Sequence, residues 1–421
     1  MLVLPTTVLV ILTILFRLQA KTWIAPAPIF AAYWTVSIVF PLLFAPSDYL
    51  VSPSAIWWID ASVLCLGIGS MVSRISKREL PDTHEINEFT NYKLRNINRI
   101  VLFFSFLGIL GAVYYVQQLG YGLGIFFSID TLTNVASSVS ESRYIKRSNP
   151  PALYTLLLCF TYAACYLGGM LRSLRATKIA FIPFIPIILT ASVNTTKALI
   201  IFPVFLWIAG WLSMRVRLGK LNIPARLFLQ LSIVGIFLTG IFVWLSMLRY
   251  QMFSLSGLKF IFDRLTVYYV GYLAGFSEWF VSSAYAINNI GMGAFTFAGV
   301  FDVLGIKARS AGIFTEGVSV GDSGTNIFTI FRYLIEDLTL PGSLVYLFLI
   351  GIIAGKAFES TRRGSFVALP ILAMFYLQVL FSNTTTVYGY NTMIASSLII
   401  FIYITLKQTK FPKVILGNKS S

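Results

Sequence analysis

The chain is predicted to be all-α, a polytopic integral membrane protein with about 11 transmembrane helices and one large loop outside the membrane. Three observations predict it. Of 421 residues, 57% are hydrophobic and only 11% charged, with a mean hydropathy of +0.80, so no single water-soluble domain fits the composition. The apolar residues gather into runs at 2–16, 22–45, 55–73, 100–117, 151–170, 179–193, 197–213, 227–248, 341–358, 365–381 and 392–406. Each is near the roughly 20 residues, or somewhat short of them, that a helix needs to cross a bilayer.

The third observation is where the charge sits. The formal net charge of +16 would suit a nucleic-acid binder if it were spread over one face. Placing the N-terminus outside instead puts 22 basic and 5 acidic residues on the cytoplasmic side and leaves 10 basic and 11 acidic on the other. Lysine and arginine concentrate on the cytoplasmic side of membranes, so the excess is a topology signal and no nucleic-acid partner is expected.

In chain order, the first apolar run lacks a basic start, and Arg17 and Lys21 follow it, so it is expected to stay as an anchor. Asp60 lies near the start of the third run beside Trp57 and Trp58, where an interfacial position is expected. Segment 74–99, with the only histidine, His84, reads as a solvated cytoplasmic connector. Segment 118–151 is polar and carries Arg143, Lys146 and Arg147. Pro183 and Pro186 interrupt the sixth run, which turns through Asn194, Thr195 and Thr196 to Lys197 at the outer end of the next helix. Cys65, Cys159 and Cys165 all fall inside apolar runs, where they act as small apolar residues.

Residues 249–340 are the one long stretch that does not demand burial in lipid, which divides the chain into 1–248, the outer loop 249–340, and 341–421. Within it, Arg264 to Phe280 has helical spacing. Arg264, Tyr268, Gly271, Gly275 and Glu278 share one side, and Tyr269, Tyr272, Phe276 and Phe280 form an aromatic stripe suited to a membrane interface. Packing of such a helix on the bundle is the plainer expectation. If the helix is straight, Arg264 and Glu278 lie about 21 Å apart and serve different atoms. No glycine-rich phosphate loop and no paired carboxylates inside the spans are present, so neither ATP hydrolysis nor a proton relay is indicated.

From Tyr268 to Glu359, YYVGYLAGFSEWF, GAFTFAGVFDVLGI and TNIFTIFRYLIEDLTLPGSLVYLFLIGIIAGKAFE follow in order. This half of the chain, from the Asn194-Thr195-Thr196-Lys197 turn onwards, resembles the O-antigen polymerase family, the Wzy-type oligosaccharide repeat-unit polymerases. Asn326-Ile327-Phe328-Thr329, Arg332, Asp337, Gly342, Gly351 and Gly355 carry most of it. The chain departs from the family where Lys197 stands in place of a frequent arginine, and where Leu338-Thr339 delays the glycine after Asp337 to Gly342.

The resemblance implies the helical fold of membrane glycosyltransferases that use lipid-linked sugars (GT-C-like), in the bacterial inner membrane, with the site facing the periplasm. It implies joining of undecaprenyl-diphosphate-linked oligosaccharides, with membrane lipid, a chain-length regulator and a flippase as candidate partners. Such chemistry needs cations for the diphosphate and a carboxylate for the acceptor hydroxyl. Arg264 and Arg332 are the expected catalytic cations and Asp337 the expected catalytic carboxylate. Lys197, Arg249, Glu278, Asn326 and Tyr268 are expected to bind substrate. No cofactor is expected and no metal: the exterior has no histidine, cysteine or Asp-x-Asp pair, and adjacent Glu336 and Asp337 point apart on a helix. A ligase of the same pathway and a lipid-linked oligosaccharide flippase or transporter are the alternatives.

Overall fold

A computed structural model describes residues 2–73, 83–144, 150–174, 177–222, 225–285, 290–307, 314, 316–321 and 323–409. The connector 74–82, Lys146, Arg147, Arg309, Asp322 and the C-terminal tail from 410 lie outside the described residues, as do the side chains of His84 and Arg143.

The chain is helical almost throughout, in the order α1 (Val3–Ala20), α2 (Pro26–Phe44), α3 (Pro53–Val72), α4 (Thr83–Gln118), α5 (Ile129–Tyr144), α6 (Ala152–Leu174), α7 (Phe184–Asn194), α8 (Ala198–Arg217), α9 (Ala225–Tyr250), α10 (Leu255–Ser283), α11 (Ala298–Val303), α12 (Ile330–Arg362), α13 (Ala368–Phe381) and α14 (Asn391–Thr409). The antiparallel hairpin of β1 (Val318–Val320) and β2 (Ser323–Thr325) is the only sheet among the described residues.

Seven helices among the described residues, α1, α2, α3, α4, α6, α8 and α12, are long and apolar enough to cross a membrane, or eight if the bent pair α9–α10 counts as one span. The other three apolar runs are shorter helices, Lys178–Asn194, Ala368–Phe381 and Asn391–Leu406. A 14-residue helix such as α13 rises only about 21 Å, less than the hydrocarbon core. The chain is therefore a multi-pass membrane protein.

Two helix pairs approach closely enough to require glycine. A Cβ on Gly69 would collide with the Phe348 carbonyl and one on Gly351 with the Leu66 carbonyl, which sets α3 against α12. Gly169 and Gly210 do the same between α6 and α8, against Trp207 and Tyr166. Without a hydrophobic driving force in lipid, such backbone contact is how helices gain van der Waals attraction.

Asp60 is not interfacial: it is 4% exposed inside the bundle, and neither carboxylate oxygen has a hydrogen-bond partner. Three of the four rings of the aromatic stripe also face inward, and Tyr269 is exposed. Tyr272, Phe276 and Phe280 are buried, with the Tyr272 hydroxyl donating to the Ser37 carbonyl at 2.6 Å, Phe276 against Phe331, and Phe280 against Trp58. The rings fill space between α10, α2, α3 and α12, and burying them there removes more apolar surface than an interface would.

Candidate functional site

The Asn194-to-Lys197 turn is built by an unusual cap. Helix α7 ends with Thr195 in the left-handed region (φ 51°), and the Thr196 hydroxyl bonds the Asn194 side-chain oxygen at 2.7 Å. Lys197 is thereby fixed as the N-cap of α8, half-buried, with its ammonium 3.7 Å above the ring of Tyr268. A cation on an aromatic face is attracted by the ring quadrupole.

Arg249 comes from the last turn of α9, where its Nε donates to the Ser140 hydroxyl of α5 at 2.8 Å. Arg264 comes from α10 and extends past the ring of Phe260. Burial, with the charges of Arg249 and Arg264, holds the Lys197 ammonium down to a pKa of about 8. Each arginine is thus close enough to Lys197 to act on its charge, and an anion beside the lysine relieves that repulsion.

Beside them opens a polar cavity of about 420 Å³, lined by Asp263, Arg264, Tyr268, Thr325 and Asn326 among others. One wall is α10 and the other is the strand β2 with the residues after it. Gly275 lets that wall approach, since a Cβ there would stand 2.8 Å from the Thr325 methyl and 3.4 Å from the Ile327 carbonyl. Ile327 is held in turn by the Thr325 hydroxyl, which accepts its N–H at 3.1 Å.

Five of the residues singled out in the sequence, Lys197, Arg249, Arg264, Tyr268 and Asn326, therefore meet at one place. Three do not. Helix α10 runs unbroken through Gly271 and Gly275, so Glu278 lies about 21 Å beyond Arg264, exposed to solvent. Arg332 sits 5.1 Å from the ring of Trp279, which is also a full fifteen residues, or about 22 Å, along the same helix from Arg264. The two arginines do not converge on one diphosphate.

Arg332 has its own surroundings. Its guanidinium lies 3.9 Å from the Phe314 ring and 4.0 Å from Phe328, with Nε bonded to Glu336 at 3.2 Å and Nη2 at 3.9 Å from the exposed Glu316. Asp337 is fully buried and turned the other way: its carboxylate accepts the backbone N–H groups of Phe295 at 3.1 Å and Thr296 at 2.5 Å. The N–H groups of Gly291 and Met292 bond the carbonyls of Glu336 and Asp337 at 2.9 and 3.2 Å. Asp337 thus clamps segment 291–297 onto α12 and is shielded from solvent.

The carboxylate that does share the cavity is Asp263, an acidic residue of segment 249–340 to which the sequence pattern assigns no role. Its adjacency to Arg264 was the available signal. Ser140 carried none, because its partner Arg249 is 109 residues away. No family model matches the chain, and no curated protein and no solved structure matches it either.

Proposed function

We propose that the chain polymerises undecaprenyl-diphosphate-linked oligosaccharide repeats by glycosyl transfer. In this reading all eleven apolar runs cross the bacterial inner membrane, the three short helices together with the turns that flank them, the N-terminus lies outside, and the cavity faces the periplasm. The observation that carries the reading is the cluster of Lys197, Arg249 and Arg264 beside an open polar cavity, where α7, α8, α9 and α10 meet. Its support in sequence is the resemblance over the same half of the chain.

In the reaction an acceptor hydroxyl oxygen bonds to the anomeric carbon of the donor sugar as the bond to the diphosphate oxygen breaks. The diphosphate leaves with the electron pair, and the three cations stabilise the charge it gains. The hydroxyl proton passes to a carboxylate, and Asp263 is assigned that work because it lines the same cavity. Tyr268 and Asn326 position the sugars. Arg332, at the far end of α10, is assigned to the acceptor side.

Deletion of the gene tests the reaction class. Cells lacking a polymerase still make, flip and attach one repeat, so a gel of surface glycan shows a single-repeat band where the parent shows a ladder. Loss of that band as well would indicate the ligase or the flippase instead.

A further inference from the structure

The connector between α2 and α3, residues 45–52, lies outside the half of the chain that carries the family resemblance. It is a tight turn. The Tyr49 N–H donates to the Pro46 carbonyl at 3.0 Å, and the Leu50 N–H donates to the Asp48 carbonyl at 3.1 Å. Just before α3 begins, the Ser52 N–H donates to the Ser277 hydroxyl oxygen at 2.6 Å, which ties the connector to α10.

From that turn the half-buried ring of Tyr49 projects between α10 and the hairpin, the two elements that wall the cavity. Its Cε2 lies 3.6 Å from where a Cβ on Gly271 of α10 would stand, and its Cε1 lies 3.3 Å from the same point on Gly321, at the tip of the β1–β2 hairpin. These two carbons flank the phenol oxygen, so the hydroxyl end of the ring is the part held between helix and hairpin. Gly321 permits this twice: its φ of 55° suits glycine, and its missing side chain leaves room for the ring and for the Asp48 carboxylate. Val267, which lines the cavity, has its Cγ1 3.3 Å from the same Gly271 point, so the ring stands beside the cavity lining.

The hydroxyl lies in the field of the cavity's carboxylate. Burial, followed by the charges of Asp48 and Asp263, raises the Tyr49 phenol above its ordinary pKa, so it keeps its proton and can donate. A carboxylate only accepts, whereas a neutral phenol donates and accepts. Side by side they match neighbouring hydroxyls of a sugar, while a diphosphate, which brings further negative charge, gains nothing from Asp263.

We propose that Tyr49 is a specificity-determining residue of the cavity, its hydroxyl binding the sugar hydroxyl next to the one that Asp263 faces. The inference rests on reading the cavity as the site of a sugar diphosphate, and it extends that site to the N-terminal half of the chain. A role in packing alone would need only the ring. Substitution by phenylalanine separates the two, since it keeps the ring between Gly271 and Gly321 and removes the hydroxyl.

The test titrates the full-length protein in detergent with two ligands, the lipid-linked repeat unit extracted from host membranes and bare undecaprenyl diphosphate. One hydrogen bond is worth about a fivefold change in affinity. Tyr49→Phe should weaken binding of the repeat unit by about that factor, and leave both the affinity for the bare diphosphate and the melting temperature unchanged. Wild-type affinity of the variant for the repeat unit, or an equal loss for both ligands, overturns the contact. A wild type that binds neither ligand overturns the reading of the cavity and this inference with it. Neither titration requires polymerisation, so a protein that yields no polymer removes the polymerase reading and leaves the Tyr49 contact standing.

Discussion

Lys197 is the residue whose protonation the site depends on. Held at a pKa of about 8 against 10.5 in an unfolded chain, it binds fewer protons when folded between those two values. Its penalty to stability is therefore present below about pH 8 and fades as pH rises towards 10.5, where the folded protein gains. Anion binding runs the other way, because the ammonium is lost as pH rises through 8. Diphosphate affinity should fall between pH 7 and pH 9 in the wild type and hold steady in Lys197→Arg, measured by competition binding. An unchanged slope in the arginine variant would take Lys197 out of the site. Asp337 makes a different prediction. Removing an acceptor of two buried amide N–H groups costs about 3 kcal/mol, so Asp337→Ala should lower the melting temperature in detergent, whereas Arg264→Ala, on an exposed side chain, should leave it unchanged and abolish long glycans. An Asp337→Ala protein as stable as wild type would contradict the clamp. The sequence showed both residues as charged groups outside the spans; it gave no sign that one meets cations across three helices and the other only backbone amides.

Helices α10 and α12 show how far element-level reading extends. The amphipathic spacing of Arg264 to Phe280 was legible, and so was the alternative to a break at the glycines, because glycine costs a helix only about 1 kcal/mol and packing overrides it. Which way the aromatic stripe faced was not legible, since its partners Ser37, Trp58 and Phe331 come from other helices. Helix α12 was expected to begin as a span at 341, yet its helical hydrogen bonding starts at Ile330 and is interrupted at Thr339, with φ 65° and ψ 176°. Pro341 follows and Asp337 precedes, so the bend is fixed from both sides. That backbone region is nearly reserved to glycine and costs other residues about 1–3 kcal/mol. Thr339→Gly should therefore raise the melting temperature, and a fall would show that the bend is held by the threonine side chain. The three short apolar helices have a visible cause in two cases: Pro183 at the N-cap of α7 with Pro186 in its first turn, and the polar run Ser382 to Thr386 after α13.

Across the whole molecule the charge asymmetry carries the proposed orientation. Arg217 at one end of α8 packs on Phe366 and bonds the Gly364 carbonyl, while Lys197 opens the same helix at the other end beside the cavity. Cysteine placed at Ser319 should react with a membrane-impermeant reagent in intact spheroplasts, and cysteine at Asn96 or Gly364 should not; the reverse pattern would turn the cavity inward. Class and helical segments were legible because lipid imposes them on every span. The cavity was legible in part, through the turn at Lys197 and the charges around Arg264, and its separation from Arg332 emerged only from the continuity of α10. The most direct measurement is made with purified protein and a lipid-linked repeat unit in vesicles, following product length on a gel. The account predicts a ladder of lipid-linked oligomers from the wild type and only the starting unit from Arg264→Ala. A wild-type protein that leaves the repeat unit at its original length, or a full ladder from Arg264→Ala, would contradict it.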